Sequence, residues 1–256
     1  MSLILKAVEN IPLIQKGDDL ADLICKNAND IEDKDIVVIA STIVSKSIGL
    51  TFQEDDLVPS AEAERISKLN GKDPCFVQAI LNESIEILTE APFMLVRNKN
   101  GHVCINAGID ASNVGNGLLL KLPEKPDTYA AAIGKSIEEK TKKKISVIVT
   151  DTNGRAFKEG QTNVAIGLYN IKPIRAWIGE KDLYGKVLEI SEEAIVDEIA
   201  GAANLIMGEG GFGYPAVIVR GLDFYTNENV SISEMYRDGE KDLIVQGLLK
   251  LKNENK

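Results

Sequence analysis

Carboxylates stand at the ends of predicted strands, or inside a glycine-rich loop, at three points of the chain. Asp110 follows the second strand of a predicted hairpin, and Asp151 directly follows the apolar run ISVIVT, with Thr152 next. Glu209 lies within the segment GEGGFG. An acid at the end of a buried strand is held at the rim of the sheet, and oxygen ligands favour Mg²⁺ or Mn²⁺. Taken singly, each acid is more typical of a solvated turn or a helix cap, so the pattern leaves their convergence open.

Glycines of the GEGGFG segment match the dinucleotide-binding pattern G-x-G-x-x-G at Gly208, Gly210 and Gly213. That fingerprint requires a strand before the glycines and a helix after them, so that pyrophosphate meets a helix N-terminus. Here a predicted helix precedes the glycines and a predicted strand follows, which argues against a Rossmann site. A helix cap and turn explain one or two of these glycines, whereas a flexible loop can also bring backbone N–H groups close to an anion.

Two further local patterns are weak indications of chemistry. Gly134-Lys135-Ser136 resembles the end of a Walker A loop, but Tyr129 stands where a glycine is required and the triplet lies inside a predicted helix. His102, the single histidine, sits in a predicted hairpin. Histidine-activated nucleophiles and zinc hydrolysis are therefore disfavoured.

The segment DTNGRAFKEGQTN, residues 151–163, is predicted as a glycine-bearing loop between strands. A solvated loop is one interpretation. The other is a phosphate- or carboxylate-binding loop, in which the Arg155 guanidinium forms bidentate contacts.

Bulk properties indicate an ordinary globular protein of 256 residues. A net charge of −10 argues against general nucleic-acid binding, and a bound triphosphate would need screening by metal ions or a few aimed cations. No run approaches the roughly 18 apolar residues of a membrane span, and MSLILKAVEN does not have the pattern of a signal peptide. We therefore expect a soluble, cytoplasmic protein.

Cys25, Cys75 and Cys104 are far apart, without zinc-type spacing, and are expected to be reduced and mostly buried.

The elements that must position these residues alternate along the chain. Predicted strands are LILKAVE, IVVIAST, the two arms of FMLVRNKNGHVCINAG around a type I′ turn at Asn100-Gly101, ISVIVT, TNVAIGLYNI and YPAVIVRGL. Predicted helices cover about 18–27, 61–70 after a Ser60 cap, 74–88 with Pro74 first, 127–143, 191–207 and 240–250. The hairpin and the short separations argue against a purely parallel sheet. The fold class predicted is α+β, with mixed and antiparallel sheets and flanking helices.

At these segments the chain resembles the coenzyme F420 γ-glutamyl ligases, nearly end to end. The resemblance is carried by IPLIQKGDDL, DIVVIASTIVSKSIG, LVPSAEAERISKLNGKDP, GHVCINAGIDASNV, LLLKLPEKPD, VIVTDTNGRAFKEGQTNVAIG, VDEIAGAANLIMGEGGFGYPAVIVRGL and MYRDGEKDL. The elements NAGID-x-SN and DT-x-GR-x-x-x-x-GQ-x-x-VAIG are highly specific when they occur together.

The resemblance implies site residues one by one. Asp110 and Asp151 would hold a first metal ion, and Thr152 with Glu209 a second. Nucleotide contacts would fall on Ile11, Pro12, Leu13, Ile14, Ser41, Thr42, Lys46, Asn113, Met207, Gly208, Glu209, Gly210, Gly211, Phe212, Gly213 and Tyr214. Among catalytic residues, Lys46 would place a point charge on a phosphate. Arg155 would contact the acyl phosphate or the carboxylate of the incoming glutamate.

The resemblance also implies the activity. Such proteins use GTP, two Mg²⁺ or Mn²⁺ ions and K⁺ to add L-glutamate by γ-linkage to F420-0, giving F420-1 and then F420-2 through an acyl phosphate. Their fold is an unusual α+β arrangement, and they form intertwined homodimers. One ligase domain is expected over 1–256, with lobes of 1–75 plus 215–256 and of 76–214.

Departures and alternatives remain. Family members often carry an aromatic residue at the position of Asn153, and Pro-Trp-Arg or a similar triplet at 156–158, so the number of glutamates added stays open. A related nucleotide-dependent amide ligase acting on another carboxylate is the main alternative. A nucleotide-sensing module without turnover and an NAD-type oxidoreductase are weaker alternatives.

Overall fold

A computed structural model describes residues 2–115 and 117–254 and confirms the predicted α+β class. The strands are β1 Ile4–Ala7, β2 Ile36–Ala40, β3 Thr51–Gln53, β4 Ser84–Thr89, β5 Leu95–Asn98, β6 Val103–Ile105, β7 Leu118–Leu120, β8 Ser146–Arg155, β9 Lys158–Tyr169, β10 Arg175–Ala176, β11 Glu192–Glu193 and β12 Ala216–Arg220. The helices are α1 Leu20–Asn27, α2 Ser41–Ser47, α3 Ala61–Asn70, α4 Pro74–Asn82, α5 Pro126–Thr141, α6 Ile195–Met207 and α7 Leu243–Glu254.

The central sheet is mixed, as the sequence predicts. Its strand order is β1-β12-β2-β8-β9. β2 and β8 are parallel, with Ile36 opposite Ser146 and Ala40 opposite Thr150, and the other pairings in this sheet are antiparallel. The parallel pair ends at Ala40 and Thr150, so the residues that follow both strands emerge at one edge of the sheet.

Apolar side chains alternate between the two faces of this sheet because successive strand residues point to opposite sides. Val37, Ile39, Val147 and Val149 join one buried cluster, to which α1, α2 and α5 contribute. Ile36, Val38 and Ile148 belong to the opposite cluster, where α6 packs. Helices on both faces explain why these strands are apolar almost without interruption.

A second, smaller unit lies beside this sheet and carries the predicted hairpin. β4, β5 and β6 form an antiparallel sheet, and β3 pairs with β7. Ile66 of α3, Ile80 of α4 and Val96 of β5 meet in its buried cluster. Asp110 bridges to Leu120 at the end of β7, which fixes the segment that follows the hairpin.

Three local predictions were wrong in extent. The helix predicted over 74–88 ends at Asn82, and SIEILT forms β4 because its side chains pair with β5. The run IVVIAST is strand only to Ala40, and Ser41 begins α2. The segment 151–163 is not a loop, since β8 and β9 continue through it as a hairpin.

The turn in the predicted hairpin has a different type from the one the sequence suggests. Gly101 has a φ of 85°, but Asn100 is not in the left-handed region that a type I′ turn requires. The Asn98 side chain accepts hydrogen bonds from the backbone N–H groups of Asn100 and His102, at 3.0 and 3.1 Å. These two bonds stabilise a three-residue loop of residues 99–101 with glycine at its last position.

Gly167 of β9 is required by the close approach of α5. A Cβ atom on Gly167 would lie 2.8 Å from the carbonyl carbon of Pro126, which is backbone and cannot rotate away. We expect Gly167→Ala to lower the free energy of unfolding by about 1–3 kcal/mol, measured by urea denaturation. Gly247→Ala in α7 is the control, since a Cβ there meets no atom within 4 Å. Its stability should stay equal or rise, and equal losses in both variants would contradict this interpretation.

The central sheet draws strands from both predicted lobes, because β2 and β12 pair across the chain and β2 also pairs with β8. The predicted division into lobes of 1–75 plus 215–256 and of 76–214 stays a prediction. None of the helices in the described residues is long and apolar enough to cross a membrane.

Candidate active site

A cleft of about 520 Å³ opens where the parallel strands β2 and β8 end. In open sheets, ligands commonly bind outside the carboxyl ends of parallel strands, and this volume is in the usual range of ligand sites. The walls come from the segment before α1, the start of α2, the segment after β6, the outer part of the β8–β9 hairpin and the glycine loop between α6 and β12. Polar residues on these walls are Ser41, Thr42, Lys46, Asn106, Asp110, Ser112, Asn113, Thr150, Asp151, Thr152, Asn153, Gln161, Asn163, Asn204, Glu209 and Tyr214.

Nearly all the site residues predicted from the sequence line this one cleft. They are Ile11, Pro12, Leu13, Ile14, Ser41, Thr42, Lys46, Asp110, Asn113, Asp151, Thr152, Met207, Gly208, Glu209, Gly210, Gly211, Gly213 and Tyr214. They come from separate segments between residues 11 and 214, so their meeting in one cleft is a property of the fold.

Asp151 lies at the centre of the polar part of the cleft. Its Oδ1 accepts a hydrogen bond of 2.7 Å from the Ser41 hydroxyl at the start of α2. Burial, together with the charges of Asp110 and Glu209, raises the pKa of Asp151 to about 6, although the hydrogen bond from Ser41 opposes this rise. A carboxylate that is disfavoured by burial and by like charges is one that a cation would stabilise.

The other two acids are each held by a neighbour. The Asp110 carboxylate accepts hydrogen bonds from the backbone N–H of Ser112 at 2.8 Å and from its hydroxyl at 2.6 Å. Glu209 accepts from the Asn204 amide at 2.8 Å, and its two oxygens lie 3.2 and 3.1 Å from the Thr152 hydroxyl. Thr152 and Glu209 are therefore paired directly.

The cleft is poor in positive charge. Among the described residues that line it, Lys46 is the single lysine or arginine against the acids Asp110, Asp151 and Glu209. No three His, Cys, Asp or Glu side chains of the described residues form a group that could hold a metal ion. The residues predicted as metal ligands line this cleft, and among them Thr152 and Glu209 are in direct contact.

Lys46 reaches the cleft from the last turn of α2. Its ammonium donates a hydrogen bond to the backbone carbonyl of Asn113. Burial lowers the pKa of Lys46, and the nearby Asp110 charge opposes that shift. The side chain thus stands between an acidic cluster and the segment that follows Asp110, where it can donate to an anionic ligand.

The glycine loop has the order of elements that the sequence predicts, with α6 before it and β12 after it. Gly208 ends α6 with a φ of 64° and a ψ of 174°, and Gly213 has a φ of 77°. A Cβ at Gly208 would lie 2.6 Å from the ring of Phe212, so the ring packs where only glycine leaves room. The loop follows a helix C-terminus, which confirms that it is not a dinucleotide fingerprint.

Two predicted residues do not line the cleft. Phe212 is 65% exposed and packs against Gly208 on the outside of the loop. Arg155 lies at the tip of the β8–β9 hairpin, where its guanidinium donates to the backbone carbonyls of Glu159 and Gly160. Contact between Arg155 and a reacting group would need a substrate that extends beyond the cleft to this tip.

Several amide side chains of the cleft were missed from the sequence. Asn163 Oδ1 lies 2.9 Å from the Thr152 hydroxyl, and Asn204 contacts Glu209. Asn106 and Gln161 are also on the walls. Asn204 is the single polar side chain among residues 199–207 of α6, which was a usable signal. Gln161 lies in the segment 151–163, for which one interpretation was a phosphate- or carboxylate-binding loop, whereas Asn163 at the start of the predicted strand TNVAIGLYNI carried no signal of its own.

Cys25, Cys75 and Cys104 are free thiols, as expected for widely spaced cysteines. Cys104 is on the cleft wall and 4% exposed. Burial, with a smaller contribution from the charge of Asp151, raises its pKa to about 12. The thiolate is not accessible near neutral pH, so Cys104 is a packing residue rather than a nucleophile.

His102 is buried, not on the surface, at 8% exposure. Its ring centroid is 5.8 Å from that of Tyr236, and its Nε2 lies 3.3 Å from the Asn153 amide nitrogen. Burial lowers the pKa of His102 from 6.5 to about 4, so the imidazole is neutral near pH 7.

This burial predicts a pH-dependent stability. The folded-state pKa is below the unfolded one, so the contribution is complete above pH 6.5 and is lost as the pH falls towards 4. The loss amounts to about 3 kcal/mol in the free energy of unfolding. We expect His102→Gln to remove this dependence, measured as the difference between wild-type and variant unfolding curves from pH 7 to 4. A difference that stays constant over this range would contradict a neutral, buried histidine.

Comparison with known proteins agrees with the geometry. Residues 9–221 match the family model of F420-0:Gamma-glutamyl ligase. The coenzyme F420:L-glutamate ligase of Methanosarcina mazei is 58% identical over 247 residues, covering 96% of this chain and 97% of the relative. Those of Archaeoglobus fulgidus and Methanothermobacter thermautotrophicus are 49% and 43% identical, over 93% and 95% of this chain and 94% and 99% of theirs. The chain therefore belongs to the F420-0:γ-glutamyl ligase family.

Proposed function

We propose that this protein is a GTP-dependent ligase that adds L-glutamate by γ-linkage to coenzyme F420-0, forming F420-1 and then F420-2. The observation that carries the proposal is the cleft, where the predicted metal and nucleotide residues come together in a member of this family. Relatives of this chain are named coenzyme F420:L-glutamate ligases, which gives the reaction class and the two substrates to be joined.

Charge in the cleft supports the use of metal ions. A triphosphate entering beside three carboxylates and a single lysine would meet net repulsion unless cations accompanied it. Asp110 and Asp151 would hold one Mg²⁺ or Mn²⁺ ion, and Thr152 and Glu209 a second. Such ions would neutralise the negative charge of the phosphates. Potassium is a further ion expected from the family resemblance.

Nucleotide binding is assigned to the glycine loop, to Lys46 and to the segment Ile11–Ile14, which all line the same cleft. Backbone N–H groups of the glycine loop, residues 208–213, can approach phosphate oxygens closely because the glycines lack side chains. Lys46 supplies the positive charge on a phosphate. The segment Ile11–Ile14 contributes mostly apolar surface, and Leu13 is 87% exposed, so this wall has apolar area available to cover a ligand.

The reaction needs an activated acid, since a carboxylate does not condense with an amine unaided. A carboxylate oxygen of F420-0 attacks the γ-phosphorus of GTP, and GDP leaves with the electrons of the broken P–O bond. The glutamate nitrogen then attacks the acyl carbon, phosphate leaves with the C–O electron pair, and the nitrogen loses a proton. The protein's own residues hold the reactants in line and offset charge, which are the main contributions in phosphoryl transfer.

A second copy of this chain is the expected partner. The segment 177–191, between β10 and β11, presents apolar side chains without a core of its own: Ile178, Leu183, Tyr184, Val187 and Ile190 are between 47% and 101% exposed. Exposed apolar surface of this extent indicates an interface. We expect the wild type to be a dimer by light scattering, and Leu183→Asp with Tyr184→Asp to shift it towards monomer. A monomeric wild type would contradict this assignment.

An ¹⁸O-labelling experiment tests the proposed acyl-phosphate intermediate. F420-0 labelled with ¹⁸O in its carboxylate should transfer one ¹⁸O to inorganic phosphate during GTP-dependent amide formation. Replacing GTP by ATP, or adding EDTA, should suppress turnover. Amide formation without ¹⁸O in the phosphate would exclude an acyl phosphate, and equal rates with both nucleotides would exclude a preference for GTP.

A further inference from the structure

Asn153 occupies a distinctive position in the cleft. It follows Thr152 on β8, pairs with Thr162 of β9 and lines the cleft wall. Its amide nitrogen Nδ2 lies 3.3 Å from His102 Nε2 and 3.5 Å from the carbonyl oxygen of Val103. Both contacts are made to the β5–β6 hairpin, so the nitrogen end of the amide faces that hairpin.

The carbonyl of Val103 fixes which way this amide points, because a carbonyl oxygen only accepts hydrogen bonds and must therefore face the amide nitrogen. An amide nitrogen carries donors only, so Nε2 of His102 must be the acceptor and the ring proton must be on Nδ1. With its N–H groups directed at His102 and Val103, Asn153 has one hydrogen-bonding atom left. That atom, Oδ1, accepts no bond from the described residues and is not among their buried unpartnered atoms. It is an accessible acceptor one residue from the predicted metal ligand Thr152.

We propose that Asn153 Oδ1 accepts a hydrogen bond from the amino group of the incoming amino acid, and that His102 positions Asn153 for this contact. This inference rests on the proposed function. Phosphates and carboxylates offer acceptors, whereas the amino group is the donor among the reacting groups, and the acidic cleft favours a cationic group. The reacting nitrogen must also come close to the phosphate, and Asn153 adjoins Thr152. An amide oxygen accepts a hydrogen bond without removing the proton, so Asn153 orients the amine and does not act as a base.

Glutarate, which is glutamate without the amino group, separates amine recognition from other effects. In the full-length enzyme, Asn153→Ala should raise the KM for L-glutamate about 10- to 100-fold, the usual effect of losing one hydrogen bond to a charged group. The KM values for F420-0 and GTP should stay unchanged. The inhibition constant of glutarate, as a competitor of glutamate, should also stay unchanged, because glutarate has no amine to lose contact with.

The positioning role of His102 has its own test. His102→Leu removes the acceptor that holds the Asn153 amide, and should raise the KM for glutamate without moving that of GTP. His102→Gln keeps an acceptor oxygen and should restore a KM near the wild-type value. Because the two residues act through one contact, the double variant Asn153→Ala with His102→Leu should be no worse than Asn153→Ala alone.

Each contrary outcome has a definite meaning. If glutamate KM and glutarate inhibition weaken together, or if neither changes, Asn153 does not bind the amine. If Asn153→Ala raises only the KM for F420-0, Asn153 contacts the deazaflavin substrate instead of the amine. That result would also overturn the proposal. A wild-type enzyme that adds no glutamate overturns the proposed function and this inference together, whereas wild-type activity with an unchanged Asn153→Ala overturns this inference alone.

Discussion

Asp151→Asn is expected to lower kcat for glutamate addition at least about 100-fold, because an amide cannot supply the charge that a divalent ion requires of its ligand. Local geometry should survive the change. The Asn oxygen can still accept the 2.7 Å hydrogen bond from Ser41, and the side chain keeps its size. Steady-state product formation, measured by chromatography of the deazaflavin, gives the rate.

The thermal stability of Asp151→Asn, unlike its activity, should not fall. The charged form of Asp151 is disfavoured by burial and by the charges of Asp110 and Glu209. Removing that charge should leave the metal-free melting temperature equal or higher, while abolishing the rise that Mn²⁺ with GTP gives the wild type. Asp197→Asn is the matched control. Burial raises the pKa of Asp197 as well, its carboxylate accepts from the Ala165 N–H at 2.9 Å, and it does not line the cleft. Full activity in Asp151→Asn would disprove the metal-ligand assignment.

Among these variants, Arg220→Met is expected to cause the largest loss in the free energy of unfolding. Arg220 ends β12 and forms a bidentate ion pair with Asp35, with hydrogen bonds of 2.8 Å to Oδ1 and 2.7 Å to Oδ2. It also donates to Glu32 at 2.6 Å and to the Asp30 carbonyl at 2.6 Å. Asp35 is 1% exposed, so removal of the guanidinium leaves a buried carboxylate without its counter-charge. We expect a loss of about 3–5 kcal/mol in the free energy of unfolding.

Two further variants separate burial from charge pairing. Arg220→Met combined with Asp35→Asn should recover part of the loss, since the uncompensated charge is gone. Lys34→Met removes an exposed pair, in which Lys34 lies 2.9 Å from Asp223 and both side chains are at least half exposed. That substitution should cost no more than about 1 kcal/mol. Similar losses for Lys34→Met and Arg220→Met in urea denaturation would refute the importance of burial here.

Sequence reasoning placed the periodic elements well, because their signals are local. Ser60 caps α3 by accepting from the Ala63 N–H, Gly71 ends that helix in the left-handed conformation, and Pro74 is the first residue of α4. The boundary between α4 and β4 was missed because it depends on pairing with β5, which is not encoded within the segment itself. The hairpin over 151–163 was also missed, for a different reason. Its polar side chains gave no alternation that would indicate strands.

The candidate site was predictable as a list of residues but not as a geometry. The acids Asp110, Asp151 and Glu209 could be recognised as ligands by position, and the family resemblance added the glycine loop and Lys46. That they share a cleft follows from the parallel pairing of β2 with β8 and from the insertion of β12 beside β2. The pairing of Asn153 with His102 joins residues 51 positions apart, and although each residue was noted separately in the sequence, nothing indicated that they are in contact.

The central claim is that this protein joins L-glutamate to coenzyme F420-0 at the expense of GTP. Incubation of the purified protein with F420-0, L-glutamate, GTP and Mn²⁺, followed by mass spectrometry of the deazaflavin, tests it most directly. We predict mass gains of one or two glutamyl units that vanish when GTP is omitted. No gain with any divalent ion tested, in the presence of an F420-0 preparation that another ligase of this family extends, would contradict the claim and favour a related amide ligase acting on another carboxylate.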